Sequence, residues 1–219
     1  MKQPVWIAGA TGLVGRALLS QLLDKQLDVH ALLRRAAPDL PKSKYLHPHQ
    51  VDFTRLALDA LPAPQVVYIC LGTTIGVAGS QAAFRAVDFD AVVSVAKAAK
   101  AAGARRCVVV SAMGASASSA VFYNRVKGET EQALGKLGFE RLVIARPSLL
   151  LGERAALGQP TRAGEIWGER ITRPIRGLIP AKWRPIEASR VAQAMAQAIA
   201  GDGPALEVLE SDELQRLGR

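Results

Sequence analysis

Short apolar runs alternate with amphipathic stretches along most of the chain. The first run, Val5 to Ala8, is rich in strand formers, and leucines recur at helical spacing after Arg16. We assign later apolar runs to strands at residues 28–33, 50–52, 65–71, 106–112, 141–145 and 206–209, and amphipathic stretches to helices at 80–102, 120–137 and 187–200. Several of these strands are apolar throughout, which is typical of a parallel sheet with helices on both faces. The pattern predicts an α/β fold, a Rossmann-type doubly wound parallel sheet.

The pattern loosens in the last third of the chain. No internal repeat or low-complexity linker is present, so we predict a single domain over residues 1–219. Within it, we expect residues 151–187, which carry several prolines, to form an irregular cap that selects the substrate. Arginines in this segment favour an anionic substrate group, and a solvated basic face is the alternative explanation; they are Arg154, Arg162, Arg170, Arg173 and Arg176. Trp167 and Trp183 either line an apolar pocket or anchor the cap.

Composition indicates a globular protein with a basic surface. The formal net charge is +9, yet lysine and arginine are scattered, so no nucleic-acid partner is expected. An anionic cofactor or substrate also favours a basic surface. No run approaches the roughly 18 apolar residues of a membrane span, and no signal peptide is evident. We therefore expect a cytoplasmic protein without a membrane span.

The cysteines and histidines of the sequence do not indicate a further functional site. Cys70 and Cys107 lie inside apolar runs and are predicted to be buried, reduced thiols. His30, His47 and His49 are taken to lack metal-ligand companions, so no metal site is predicted.

Three glycines follow the first strand and open the first helix. An ordinary strand-to-helix turn often uses one glycine, whereas three at this spacing favour a nucleotide site. Glycine permits a tight turn and a close approach of a pyrophosphate, and the free N–H groups of the helix then face the anion. The predicted contacts from this turn are Gly9, Thr11, Gly12, Leu13, Val14 and Gly15.

Residues after the next strands predict the rest of a dinucleotide site. Arg34 lies about 20 residues beyond the glycine turn, where the ribose-reading residue is expected, and Arg35 follows it. Guanidinium groups bind phosphate in bidentate fashion, which favours NADP(H) over NAD(H); two solvated surface arginines are the alternative. Asp52 either accepts a hydrogen bond from the adenine amino group, with Phe53 packing nearby, or caps a helix.

The loop after the fourth strand is expected against the middle of the cofactor. It contains Leu71, Gly72, Thr73 and Thr74. Glycine allows close approach and the threonines supply hydroxyl groups, although a plain turn uses similar residues.

A tyrosine and a lysine four residues apart predict acid–base chemistry. Tyr123 and Lys127 share one face of a helix, and Ser111 ends the adjacent strand at the same edge of the sheet. An ammonium group beside a phenol stabilises the phenolate, which suits general acid–base work. We expect Tyr123 to exchange a proton with a substrate carbonyl or alcohol oxygen, and Ser111 to hydrogen-bond that oxygen. Lys127 would also hold the nicotinamide ribose.

Together these motifs resemble the short-chain dehydrogenase/reductase family, of the atypical or extended kind with Gly-x-x-Gly-x-x-Gly at the first turn. More narrowly, Cys70-Leu-Gly-Thr-Thr and Tyr123-x-x-x-Lys-Gly-Glu are similar to the Tat-interacting-protein oxidoreductases and their bacterial relatives. The resemblance implies NADPH binding, the catalytic set Ser111, Tyr123 and Lys127, and a cofactor contact from Pro147 after the sixth strand.

One departure from the family leaves two functions open. Many members use a helical asparagine in a proton relay, and Asp88 stands nearest to that position here. A carboxylate donates no hydrogen bond unless it is protonated. The first hypothesis is an NADPH-dependent oxidoreductase that reduces a small-molecule carbonyl. The second is an NADPH-sensing regulatory protein with little turnover that acts through a protein partner, and a homodimer is also compatible.

Overall fold

A seven-stranded parallel sheet forms the centre of the computed structural model, which describes residues 4–56, 58, 60–152 and 180–219. The strands are β1 Val5–Ala8, β2 Val29–Leu33, β3 Leu46–Gln50, β4 Val66–Ile69, β5 Arg106–Val110, β6 Arg141–Arg146, β7 Leu150–Leu151, β8 Ile186–Glu187 and β9 Leu206–Glu210. The sheet order is β3-β2-β1-β4-β5-β6-β9, with every neighbouring pair parallel, while β7 and β8 pair separately. The predicted Rossmann-type fold is confirmed.

Helices cover both faces of the sheet. They are α1 Leu13–Asp24, α2 Ile75–Ala78, α3 Gln81–Arg85, α4 Val92–Ala101, α5 Phe122–Gly135, α6 Ala188–Ala200 and α7 Ser211–Leu217, with a π-helical turn at Ala86–Ala91 and a 3₁₀ turn at Ala181–Trp183. One core packs α1, α6 and α7 against the sheet through residues such as Ile7, Leu18 and Met195. The other packs α4 and α5 against the opposite face, around Trp6 and Leu134. Within the described part of the chain, no helix is both long and apolar enough to cross a membrane.

The strand order reverses between β1 and β4, and this reversal positions the site. The chain leaves β1 toward one edge of the sheet and leaves β4 toward the other, so their carboxyl ends open into a crevice. Such crevices are the usual ligand sites of open parallel sheets.

The third strand was predicted at residues 50–52, which is wrong. It spans Leu46–Gln50 and contains Pro48, which pairs in register with Ala31 of β2. A proline cannot donate to a sheet ladder, so it argues against a central strand. Here β3 is the edge strand, where a missing N–H can be tolerated.

Most of the predicted cap segment lies outside the described residues. This applies to residues 153–179, including Trp167 and the five arginines named above. The two ends of the segment lie side by side, because β7 and β8 pair through Leu151 and Glu187. Trp183 is 61% exposed, so it does not anchor a core.

Two of the three glycines in the first turn are required by close backbone packing. Gly9 has φ +90°, and a Cβ there would lie 2.5 Å from the backbone carbonyl carbon of Cys70. A Cβ at Gly15 would lie 2.0 Å from the Gly9 carbonyl oxygen. Both distances are far below van der Waals contact, so the tight junction of β1 and α1 depends on glycine at these positions.

We therefore predict that Gly15→Ala destabilises the protein by about 3 kcal/mol or more, because overpacking against rigid backbone has no room to relax. Gly135→Ala is the matched control, since a Cβ at this helical glycine would meet no atom within 4 Å. That control should be neutral or stabilising by up to ~1 kcal/mol. Urea unfolding measures both, and a Gly15→Ala variant as stable as the wild type would disprove the close packing.

Candidate active site

A cleft of about 880 Å³ runs across the carboxyl ends of the central strands. It brings together most of the residues predicted to bind a cofactor or act in catalysis. Those lining it are Gly9, Thr11, Gly12, Leu13, Val14, Arg34, Arg35, Asp52, Phe53, Leu71, Gly72, Thr73, Ser111, Tyr123 and Lys127. One continuous cavity therefore joins the glycine turn to the predicted catalytic residues.

Three predicted cofactor contacts do not line this cleft: Gly15, Thr74 and Pro147. Gly15 packs against the Gly9 carbonyl oxygen instead. The Thr74 hydroxyl caps α2 by accepting a hydrogen bond from the Val77 N–H at 3.3 Å. Pro147 contributes its carbonyl to a 3.1 Å hydrogen bond from the Met113 N–H. Each has a local structural role, and its predicted contact with a cofactor stays a prediction.

The glycine turn fits a pyrophosphate. Gly12 is the N-cap of α1 and has no side-chain cap, so the first N–H groups of the helix are open toward the cleft. A Cβ at Gly12 would touch the protein only at the Gly9 oxygen, at an ordinary 3.5 Å. Unlike Gly9 and Gly15, Gly12 is not required by internal packing, which is consistent with a ligand approaching its α-carbon.

At the far side of β1, Arg34 and Arg35 are exposed beside the cleft. Neither forms an ion pair with a described carboxylate, so both remain available to an anion. Asp52 caps a turn rather than a helix, because its Oδ1 accepts hydrogen bonds from the Thr54 N–H at 2.9 Å and the Thr54 hydroxyl at 2.7 Å. These bonds hold the pKa of Asp52 below its usual value.

Lys127 and Asp88 form a buried ion pair at the inner wall of the cleft. The Lys127 Nζ lies 2.7 Å from Asp88 Oδ1, and the two side chains are 6% and 0% exposed. Burial disfavours the ammonium, but attraction to Asp88 and Tyr123 outweighs it and raises the pKa of Lys127. Asp88 Oδ2 also accepts a 2.8 Å hydrogen bond from the Thr73 N–H. Asp88 thus anchors both the lysine and the loop after β4.

Asp88 lies in the π-helical turn between α3 and α4. An α-helix that admits a π turn is locally widened, a feature frequent at functional sites. The Asp88 carbonyl accepts a 2.9 Å hydrogen bond from the Thr130 hydroxyl of α5. The turn is therefore fixed against α5 through its backbone as well as its carboxylate.

Ser111 belongs to a second polar chain that sequence reasoning missed. Its hydroxyl donates a short hydrogen bond to Glu131 Oε1. Arg146 in turn binds both oxygens of Glu131, at 3.0 and 2.5 Å, and reaches Glu210 at 3.0 Å. One signal was available, since Glu131 lies four residues beyond Lys127 on the same helical face. The Ser111 hydroxyl is thus bonded to Glu131 inside the protein, while the residue also lines the cleft.

Tyr123 stands at the mouth of this group, half-buried at the start of α5. Its ring packs against Phe84, with ring centroids 5.3 Å apart. Together with Ser111 and Lys127 it lines one end of the cleft, opposite Arg34 and Arg35. A phenol, an ammonium and a hydroxyl group thus belong to the lining of the same cleft.

Two cysteines and a histidine cluster are further titratable groups of the chain, and of these Cys70 also lines the cleft. Cys70 and Cys107 are free thiols, and burial raises the pKa of Cys70 to about 12. The sheet brings His30, His47 and His49 together with Asp28, although the sequence showed no companions for them. Burial lowers the pKa of His30 and of His49.

Comparison with known proteins agrees with this geometry. A family model described as NAD(P)H-binding matches residues 9–173. The chain belongs to this NAD(P)H-binding family. Protein HTATIP2 of Rattus norvegicus is 34% identical over 98% of the chain and 89% of its own length. Protein FMP52, mitochondrial, of Eremothecium gossypii is 41% identical over 152 residues, 68% of the chain and 66% of that protein. The match thus spans just under two thirds of the fungal relative.

Solved structures share the Rossmann-type fold of this NAD(P)H-binding protein. An oxidoreductase of that family from Burkholderia thailandensis superposes with a TM-score of 0.69 at 20% identity, covering 98% of this chain and 93% of the other. MoeE5 in complex with UDP-glucose and NAD superposes with a TM-score of 0.72 at 17% identity, covering 96% of this chain and 79% of the other. The predicted resemblance is confirmed at the level of fold and nicotinamide-cofactor family.

The predicted cytoplasmic location is wrong. Relatives of this NAD(P)H-binding protein from several fungi, including Candida albicans at 35% identity, carry names that place them in mitochondria. The prediction rested on composition and on the absence of an evident signal peptide, neither of which reports on mitochondria.

Replacing Asp88 by asparagine should destabilise this NAD(P)H-binding protein most strongly near neutral pH. The change leaves the buried Lys127 ammonium without its counter-charge, and removing one partner of a buried ion pair typically costs about 3–5 kcal/mol. Urea unfolding at pH 7 measures the loss. Asp39→Asn, which breaks an exposed pair with Arg16, is the matched control and should leave stability nearly unchanged.

The same pair sets the sign of the pH dependence. In the wild type the pKa of Lys127 is raised. The contribution of its charge to the free energy of unfolding is therefore fully present below about pH 10.4, the pKa of a lysine in the unfolded chain. In Asp88→Asn burial lowers that pKa, so the penalty shrinks as pH rises toward about 10. A variant equal in stability to the wild type at pH 7 would contradict the buried charge pair.

Proposed function

We propose that this protein is an NADPH-dependent oxidoreductase that reduces the carbonyl group of a small molecule. The observation that carries the proposal is the single cleft joining the glycine turn to Ser111, Tyr123 and Lys127. A dinucleotide with its pyrophosphate at Gly12 and its adenosine toward Arg34 would direct its nicotinamide end to these three side chains.

The cofactor supplies a hydride from its nicotinamide ring when bound, and the chain supplies the proton. Tyr123 donates its phenolic proton to the carbonyl oxygen as charge develops there. The Lys127 ammonium has three N–H donors. One of them is directed at Asp88, and the other two can bind the ribose hydroxyls and the Tyr123 oxygen. Because Asp88 offsets the lysine charge, we assign Lys127 mainly to positioning.

Ser111 orients the reacting oxygen in this proposal. Its proton is engaged with Glu131, so its lone pairs accept a hydrogen bond from an alcohol, or the hydroxyl rotates to donate to a carbonyl. Arg146 holds the Glu131 carboxylate in place by two hydrogen bonds. Glu131 and Arg146 therefore act through Ser111 and do not need to touch the substrate.

Arg34 and Arg35 favour NADPH over NADH. A 2′-phosphate at the ribose would find two guanidinium groups that are not already paired with described carboxylates. Charge-assisted, bidentate hydrogen bonds to phosphate are stronger than neutral ones. An unphosphorylated ribose would leave these groups to water.

One observation favours the second candidate function, an NADPH-binding regulatory protein with little turnover. Ser111 and Lys127 are both engaged inside the protein, by Glu131 and Asp88. Binding groups at the adenosine end are free, whereas groups at the nicotinamide end are partly satisfied. Such a protein would bind cofactor and present the bound state to a protein partner.

Tyr123→Phe should abolish carbonyl reduction, with a loss of about 10²–10⁴-fold, while the NADPH dissociation constant stays within a factor of about two. The phenylalanine ring preserves the packing on Phe84. Tyr45→Phe, at an exposed tyrosine bonded to Gln26, is the matched control. Full activity of Tyr123→Phe would refute the assigned role. A wild type that reduces nothing in a broad carbonyl screen, yet captures a partner only with NADPH, would favour the regulatory function.

The double variant Arg34→Ala and Arg35→Ala should bind NADPH at least tenfold more weakly while NADH affinity is unchanged. A hydrogen bond to a charged group contributes about 1.5–3 kcal/mol, and 1.4 kcal/mol corresponds to tenfold in affinity. Arg105→Ala removes a positive charge from an exposed pair with Glu140, outside the cleft, and controls for net charge. Fluorescence titration with NADPH and with NADH measures the two dissociation constants. Equal losses for NADH and NADPH would argue against a 2′-phosphate contact.

A further inference from the structure

The edge of the sheet gathers all three histidines of the chain beside one carboxylate. His30 of β2 pairs in register with His47 of β3, so the two side chains share a face, and His49 follows on that face two residues later. The His30 ring stacks on both, with centroids 4.9 Å from His47 and 5.1 Å from His49. Asp28, just before β2, lies 2.8 Å from His47 Nε2 and 3.6 Å from His30 Nε2.

His30 has an unsatisfied nitrogen that points into this group. The residue is only 5% exposed, and its Nε2 has no hydrogen-bond partner among the described residues, because 3.6 Å to Asp28 is too long. A buried polar atom without a partner costs about 1–3 kcal/mol, so such an atom calls for a ligand.

The other nitrogen of His30 is held in the way that metal-binding histidines usually are. His30 Nδ1 lies 2.9 Å from His49 Nε2. When Nδ1 carries the ring proton and donates it to His49, the lone pair of His30 resides on Nε2, toward Asp28 and His47. A ligating histidine almost always donates its second N–H to such a partner, which fixes the tautomer.

We propose that Asp28, His30 and His47 form a binding site for one late first-row divalent metal ion, with Zn²⁺ as the best match. Two imidazole nitrogens and a carboxylate are ligands that Zn²⁺ accepts, and three protein ligands leave a fourth position for water. The donor atoms lie within 4.8 Å of one another. Bonds of about 2.0–2.1 Å in a tetrahedron require about 3.3 Å between donors. The Asp28 oxygens lie 3.6 Å from His30 Nε2 and 2.8 Å from His47 Nε2, so small side-chain movements would bring these donors to that spacing.

The site is accessible and separate from the cofactor cleft. The side chains of His47 and Asp28 are 44% and 36% exposed, which gives an ion a path to buried His30. None of the three residues lines the cleft. His30 precedes Arg34 by four residues of extended chain, about 13 Å. A metal here would tie the edge strand β3 to β2, and so would support the strand that ends at Leu33, next to Arg34.

The test is a Zn²⁺ titration of the full chain without a polyhistidine tag, after removal of metals with a chelator. We expect one Zn²⁺ per chain by calorimetry, a higher melting temperature, and visible absorption from tetrahedral Co²⁺ added in its place. His47→Gln and Asp28→Asn, at partly exposed positions that the fold tolerates, should each weaken Zn²⁺ binding at least tenfold. Asp24→Asn is the matched control, since it removes an exposed carboxylate near the same edge and should bind like the wild type.

Circular dichroism of each variant verifies folding before titration. The site is disproved if the wild type binds no Zn²⁺ at micromolar concentration, or if His47→Gln and Asp28→Asn, both folded, bind as tightly as Asp24→Asn. In that case the cluster is a hydrogen-bonded group that only joins two strands.

Discussion

The buried contact between Asp88 and Lys127 is the interaction on which the site depends. It joins three segments that are distant in sequence: the π-helical turn, the loop after β4 through the Thr73 N–H, and helix α5. A buried ion pair of this kind contributes little net stability relative to apolar packing, because both charges lose their hydration. Its consequence is positional, since Tyr123 and Glu131 project from the same helix as Lys127, and Gly72 lies against the pair.

The two ends of the cleft differ in how far their polar groups are already satisfied. At the glycine turn, the helix N-terminus and the exposed Arg34 and Arg35 are open to an anion. At the opposite end, Ser111 and Lys127 already have partners. Tight binding of a dinucleotide is therefore expected. Turnover also requires a substrate that either displaces the internal hydrogen bonds of Ser111 and Lys127 or binds while they remain in place. This contrast explains why one fold supports both proposed functions.

Strong local patterns made the fold and much of the cleft predictable from sequence. Continuous apolar strands, the glycine turn and the Tyr123–Lys127 spacing each depend on neighbours within one element or one turn. Features that depend on distant partners were missed. Pro48 misled the placement of β3 because only topology reveals an edge strand, and the Ser111–Glu131–Arg146 chain joins three elements. Asp28 lies two residues before His30 in the sequence, but only strand register brings His47 to both. Gly15, Thr74 and Pro147 do not line the cleft and make local contacts that the sequence pattern did not indicate.

A crystal structure with bound NADPH tests the central claim most directly, namely that one cofactor spans the cleft from Arg34 to Tyr123. We predict the pyrophosphate at the α1 N-terminus beside Gly12, the 2′-phosphate within hydrogen-bond distance of Arg34 or Arg35, and the nicotinamide against Tyr123 and Lys127. Electron density that places the 2′-phosphate away from both arginines, or the nicotinamide away from Tyr123, would contradict it.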